Sequence, residues 1–185
     1  MNLVGDCGGL WGIILYIYTL LSPKKVSETN LIGEFVCRLD QKGRVILPAN
    51  LKKQISPEAK DMFVINRGFE NCLVLYPMNE WKTISAEINE LNLYNRKNRN
   101  FARYFYRGAT ELTLDASNRL LLPKTLMNYA GIGKELILFA FSNRIEVWSK
   151  DKYEQLMTDE PEDFAALAEE VMGKPERTEE TNDVP

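Results

Sequence analysis

Leu39-Asp40-Gln41-Lys42-Gly43-Arg44-Val45-Ile46-Leu47-Pro48, followed by Leu51, returns 75 residues later as Leu114-Asp115-Ala116-Ser117-Asn118-Arg119-Leu120-Leu121-Leu122-Pro123, followed by Leu126. Leucine, aspartate, arginine, proline and a second leucine recur in one register without a gap. That is an internal duplication. The local chemistry of the stretch is legible. The short carboxylate of Asp40 or Asp115 accepts bonds from the backbone N–H groups just after it and anchors a turn. Gly43 permits a positive φ, and Asn118 at the matching place is the best non-glycine substitute. Three apolar residues then make a strand, and Pro48 or Pro123 opens a short helix. Each unit therefore reads as strand, tight turn, strand, proline and helix, with Arg44 or Arg119 just past the turn.

Working outward, the first copy predicts strands at 35–39 and 44–47 around the turn, a short helix at 49–55, and a hairpin of strands 62–66 and 72–76 joined at 68–71. Pro77 opens an amphipathic helix carrying Trp81, Ile84, Ile88 and Leu91. The second copy predicts strands at 110–114 and 119–122, a helix at 125–130 ended by Gly131, a hairpin of 135–140 and 144–148, and a closing helix at 151–157. Trp148 echoes Tyr76 and Tyr153 echoes Trp81 at a spacing of 72, so copy two has lost three residues from a loop. Between the copies, 92–107 holds five Lys/Arg and no acid, interleaved with Tyr94, Phe101, Tyr104, Phe105 and Tyr106. Two readings of this helix stand open. One is a connector with a solvated basic face, the other a phosphate-contacting or interface element.

Charge is distributed unevenly. The net value is −3 over 185 residues, yet 31–158 sums to +5 and 159–185 to −8. A mildly basic body precedes an acidic tail rich in Glu, Pro and Thr, expected to be disordered apart from a helical turn or two at 164–171. The tail could compete with phosphate for the basic face. With no histidine, Ser-His and Cys-His nucleophiles and most zinc sites are excluded. Cys7, Cys37 and Cys72 lack C-x-x-C spacing and indicate a reducing compartment. No Gly-rich phosphate loop or G-x-S-x-G is present, so neither an enzyme, a cofactor nor a small-molecule substrate is expected. The apolar run 10–21 is too short for a spanning helix, and the basic pair Lys24-Lys25 follows it rather than preceding it. Residues 1–30 are therefore read as an appendage, the product of a start codon placed too far upstream, in preference to a membrane anchor or an export signal.

Gly33-Glu34, Leu39-Asp40-x-Lys42-Gly43-Arg44-x-x-x-Pro48 and Gly68-x-x-x-Cys72-Leu73-x-Leu75-Tyr76-Pro77-x-x-x-Trp81 resemble the MraZ family. So do Gly108-Ala109-Thr110-Glu111, Leu114-Asp115-x-x-x-Arg119-x-x-x-Pro123 and Asn143-Arg144-Ile145-Glu146-Val147-Trp148-Ser149. The resemblance covers 31–157. It implies a mainly β fold with short helices: two swapped-hairpin AbrB-like (SpoVT-AbrB) barrels, one per repeat, joined as a pseudo-dimer. The division expected is an atypical extension (1–30), first repeat (31–91), basic connecting helix (92–107), second repeat (108–157) and acidic tail (158–185). It further implies a cytoplasmic, nucleoid-associated bacterial transcription factor that forms a ring. Its target would be double-stranded DNA at promoter direct repeats upstream of the division and cell-wall gene cluster, its own gene included. The extension, Asn118 in place of a frequent glycine, and the tail depart from the family pattern.

On that basis Arg44, Lys42, Arg119 and Arg38 are the expected DNA contacts, with Asp40, Gly43, Asp115 and Asn118 as turn anchors. Each arginine has two compatible readings: pairing with its own aspartate four residues back, or presenting a planar fork to phosphate or guanine. Ser117 stands where the first copy has Lys42, so unequal binding by the two repeats is expected. The rival to a transcription factor is an AbrB-type antitoxin with a toxin-binding tail. That class ordinarily carries one motif per chain, against the duplication seen here.

Overall fold

The computed structural model describes residues 29–158 and 164–172. The apolar run 10–21 lies outside them, as does most of the acidic tail. In β1 (Leu31–Arg38) the side chains alternate, with Ile32 and Val36 outward and Leu31, Phe35 and Cys37 toward the core. There follow β2 (Arg44–Ile46), α1 (Ala49–Lys52), a 3-10 turn (Pro57–Ala59), the hairpin β3 (Met62–Arg67) and β4 (Leu73–Pro77), α2 (Met78–Asn89) and α3 (Arg96–Phe105). The second repeat supplies β5 (Thr110–Thr113), β6 (Arg119–Leu121), α4 (Lys124–Ala130), β7 (Glu135–Ser142), β8 (Arg144–Ser149), α5 (Lys150–Thr158) and α6 (Phe164–Met172).

The repeats are interlocked. One six-stranded sheet runs β1-β7-β8-β4-β3-β5, and β2 pairs β6 in a separate two-stranded ribbon. The first strand of each repeat thus leaves its own hairpin and joins the other's. β1 lies along β7 from Leu31↔Ser142 to Arg38↔Glu135, and β5 lies along β3 from Met62↔Thr113 to Ile65↔Thr110. The ribbon pairs Arg44↔Leu121, Val45↔Leu120 and Ile46↔Arg119. Two further bonds extend it, Leu47 N–H to Asn118 O (2.9 Å) and Leu122 N–H to Gly43 O (3.0 Å). Moving along the chain by the repeat spacing converts one bond into the other, so a pseudo-two-fold axis passes between Val45 and Leu120. The chain is mainly antiparallel β with short helices, and its two repeats are a pseudo-dimer.

Apolar periodicity explains the layering. Leu73 and Leu75 of β4, Ile145 and Val147 of β8, Leu136 and Leu138 of β7, and Phe63 and Ile65 of β3 meet Val45, Leu120, Leu51 and Leu126 in one core. Both faces of β4 are covered. On the outer face Cys72, Ile137 and Trp148 pack under Tyr153 of α5, while Tyr76, Trp81 and Phe105 stack along α2 and α3.

Three local expectations differ from the structure. The strands flanking each turn do not form a ladder with each other; Leu39↔Val45 is a single bridge, because the flanking strands are claimed by the opposite repeat. The helix after Pro48 stops at Lys52. Gln54 is used instead to satisfy the sheet edge, accepting from Ile32 N–H (2.8 Å) and donating to Ile32 O (3.1 Å). Leu91 falls beyond the end of α2.

Strand exchange makes a concrete prediction. A fragment of residues 31–107 lacks the partners of β1 and β2, so it should not fold as a monomer. Sedimentation and circular dichroism should find it unfolded or, if folded, at least dimeric. A cooperatively melting monomer would contradict the interlock.

Candidate nucleic-acid interface

The ribbon's outer face is built by the turns at its ends. At 40–43 Gly43 N–H donates to Asp40 O (3.0 Å) and Asp40 N–H to Arg44 O (2.9 Å). Gly43 has φ +80 and Asn118 has φ +55, so both turns pass through the left-handed region. Asp40 Oδ1 accepts from the N–H groups of Lys42 (2.8 Å) and Arg44 (3.0 Å), and Asp115 Oδ1 from those of Ser117 (2.8 Å) and Arg119 (3.0 Å). The second carboxylate oxygen holds the arginine side chain: Arg44 Nε lies 2.7 Å from Asp40 Oδ2, and Arg119 Nε 2.8 Å from Asp115 Oδ2. Arg44 Nη1 also reaches 3.9 Å from Asp115 Oδ2, across to the other repeat.

Strand alternation then sorts the side chains. Val45 and Leu120 are buried, so Arg44, Ile46, Arg119 and Leu121 share the opposite face. Ile46 is 61% and Leu121 56% exposed. The result is a two-stranded ribbon with two pseudo-symmetric arginines and two apolar side chains facing solvent. Each guanidinium is held by Nε, and its terminal nitrogens make no hydrogen bond within the described residues. That arrangement pre-orients a planar donor fork.

Lys42 lies exposed at its turn tip, and with Lys124 it flanks a surface groove reaching Leu121. The other end is poorer in cations. Ser117 replaces the lysine there, and Lys52 donates to Asn118 Oδ1 (2.5 Å) and pairs with Asp61 (3.5 Å). Arg38 stands apart from the ribbon, in an ion pair with Glu135 (2.7 Å) that Lys150 shares (3.3 Å). Lys124, Ile46 and Leu121 were not singled out from the sequence. The outward pair could have been found from alternation alone, since each lies two residues past its arginine. Lys124 could not, because its approach to Lys42 depends on strand exchange.

The basic helix resolves into two faces. Phe105 stacks on Trp81 at 5.3 Å between centroids, with Phe101 alongside. Arg99 donates to the carbonyls of Leu93 (2.8 Å) and Tyr94 (2.7 Å), closing the preceding loop. Cys72 is buried, and burial followed by the nearby Glu146 and Glu70 charges pushes its thiol up to about 12. Burial raises Cys37 also. Both remain thiols at neutral pH.

The Arg44 backbone N–H, then its guanidinium and the Lys42 N–H, hold the Asp40 carboxyl below the usual carboxylate range. At Asp115, withdrawal from solvent acts to raise the carboxyl. The backbone and side chain of Arg119, with the Ser117 N–H, outweigh it and leave it lowered. A folded-state pKa below the unfolded value of about 3.9 contributes stability that is present above that value and lost as pH falls through the depressed one. Urea unfolding at pH 7 and below about pH 4 should show this loss. The Asp40→Asn/Asp115→Asn variant should lose less stability over the same interval. An identical pH dependence in variant and wild type would contradict the turn-anchor assignment.

The family model described as "MraZ protein, putative antitoxin-like" matches twice, over residues 31–104 and 105–174. The second match runs past 157 and takes in α6. A protein named transcriptional regulator MraZ from Christiangramia forsetii is 50% identical over 145 residues, 78% of this chain and 94% of that protein. One of the same name from Flavobacterium psychrophilum is 44% identical over 144 residues, covering 77% and 92%. Another from Natranaerobius thermophilus is 40% identical over 141 residues, covering 76% and 96%. Matched twice along its length and by relatives this close, the chain belongs to the MraZ family.

Proposed function

We propose that this chain is a sequence-specific DNA-binding transcriptional regulator whose β2–β6 ribbon faces the duplex. The observation that carries the reading is the pair of pseudo-symmetric arginines on one exposed ribbon face, each oriented by an aspartate through Nε. A two-stranded ribbon fits the major groove, an arginine fork matches the O6/N7 edge of guanine, and an exposed Ile or Leu suits a thymine methyl. The names of the relatives support the same function.

Because each arginine is already paired with an aspartate, the ribbon supplies directed donors more than net positive charge. Phosphate attraction falls to Lys42 and Lys124 at one end, and to the more outlying Arg38, which with Lys150 shares the single carboxylate of Glu135 and so leaves one positive charge uncompensated. A single chain should consequently bind weakly. Homo-oligomerisation, as a ring, on direct repeats upstream of the division and cell-wall genes would multiply affinity through effective concentration. Such a regulator acts in the cytoplasm at the nucleoid. No helix of the described residues is long and apolar enough to cross a membrane. The antitoxin-type reading has in its favour the wording of the family description. The duplication within one chain weighs against it.

Arg44→Ala should lower operator affinity by about 1–3 kcal/mol and relax sequence preference. Lys42→Ala should weaken operator and random DNA alike and reduce the log–log salt slope by about one unit. Arg119→Ala, at the cation-poor end, should cost less affinity. Operator and non-operator titrations at several salt concentrations, with melting curves for each variant, separate these effects. If the folded fraction of Arg44→Ala binds operator normally, the arginine is structural only. In a separate titration, three or four phased repeats should bind far more tightly than one, and equal affinity would sink the multivalent picture.

A further inference from the structure

Helix α6 presents an apolar face that the described residues of its own chain leave uncovered. Phe164 (73% exposed), Leu167 (41%) and Val171 (73%) recur at i, i+3 and i+7 on this nine-residue helix. The two family matches end at 104, within α3, and at 174, just past α6, so the two helices close equivalent repeats. In the first repeat the aromatics of α3 pack on Trp81. In the second, the corresponding helix keeps its apolar side chains in solvent.

The same molecule carries an uncovered groove of about 300 Å³ beside α3 on the outer face of the large sheet, rimmed by Phe69, Phe101 and Tyr104. Phe69 is 84% and Tyr104 69% exposed. Its lining is mainly apolar. Among the described residues, the buried Asn66 Oδ1 and the buried Nε atoms of Arg67 and Arg144 have no hydrogen-bond partner. Arg67, Arg107 and Arg144 line this groove against Glu70 and Glu146, and Glu146 already accepts from the Trp148 indole (2.8 Å). Helix α3 adds Arg96, Lys97, Arg99 and Arg103 with no acid. Helix α6 holds Glu169 and Glu170 with no base, and Asp159, Glu160, Glu162 and Asp163 precede it in the sequence.

We propose that α6 of one chain docks, apolar face down, into the α3-bordered groove of a second copy. An acidic amphipathic helix and a basic aromatic groove are complementary in polarity and charge, and no residue of α6 lines the groove of its own chain. Helix and groove are different surfaces, so the contact is heterologous, head to tail; repeated, it closes a ring or grows a filament. The inference deepens the proposed assembly by naming its joint, and rests on that reading. It also gives the acidic tail a role in assembly beyond competition with phosphate.

The test uses the full chain and two double variants at exposed positions: Leu167→Glu/Val171→Glu on the helix, and Phe69→Asp/Tyr104→Glu at the groove. Mass is read by light scattering or sedimentation, with melting curves confirming that each variant is folded. Wild type should run as a multimer, and each variant alone as a single chain of 21.3 kDa. Mixing the two should restore one good joint, since each supplies what the other lacks, and yield a two-chain species and nothing larger. Helix variants that keep the wild-type mass, or folded monomeric variants that fail to pair on mixing, would overturn the proposed joint while leaving assembly itself standing. A monomeric wild type would overturn both.

Discussion

A carboxylate that closes a turn and grips an arginine four residues on is the constraint from which the rest follows. Asp40 and Asp115 each spend one oxygen on two backbone N–H groups and the other on a guanidinium Nε. The first role shapes the turn tightly enough that position 43 or 118 must take a positive φ. The second fixes the arginine at the start of a three-residue strand too short to be stable alone. That strand is held by its counterpart from the other repeat, and the outer strands cross over in the same way. Local turn chemistry and strand exchange therefore support one another, and the two arginines come to share a ribbon face.

Duplication leaves a quasi-symmetric scaffold on which asymmetry is a local matter. The backbone bonds of the two turns agree to within a few tenths of an ångström, but their surroundings do not. One end of the ribbon has Lys42 and Lys124 near Leu121; at the other, Lys52 is occupied by Asn118 and Asp61. Asp115 serves two arginines at different distances, and Asp40 one. The same divergence separates the repeat-closing helices, with α3 packed on an indole and α6 exposed. Two similar repeats thus leave one end of the ribbon richer in free cations than the other.

Much of this was legible in the residues. The aspartate and glycine chemistry of the turns, the hairpins, the proline-led helices and the short helix at 164–171 follow from local preferences, and the structure contains them. Partnership was implied only by the resemblance to a swapped-hairpin fold. Nothing in the residues of 31–38 by themselves says that β1 lies along β7 rather than β2, because the apolar residues of either strand could cover it. Arg38 looked like a sibling of Arg44, yet its place at the end of β1 puts it opposite Glu135, a pairing created by exchange. Lys124 joins Lys42 for the same reason. The helix expected over 49–55 would include Gln54, whose amide is instead taken by the edge of β1.

The proposed function requires the ribbon, not the basic helix α3, to be the face that meets DNA. Photo-cross-linking to operator duplex decides between them, using a photoreactive residue placed in turn at Gln41, Ala116 and Asn100, all exposed. The first two sit at the turn tips and the third on α3. Binding through the ribbon predicts efficient cross-links from 41 and 116, stronger at 41, and background from 100. Cross-links from 100 with none from either turn tip would contradict it.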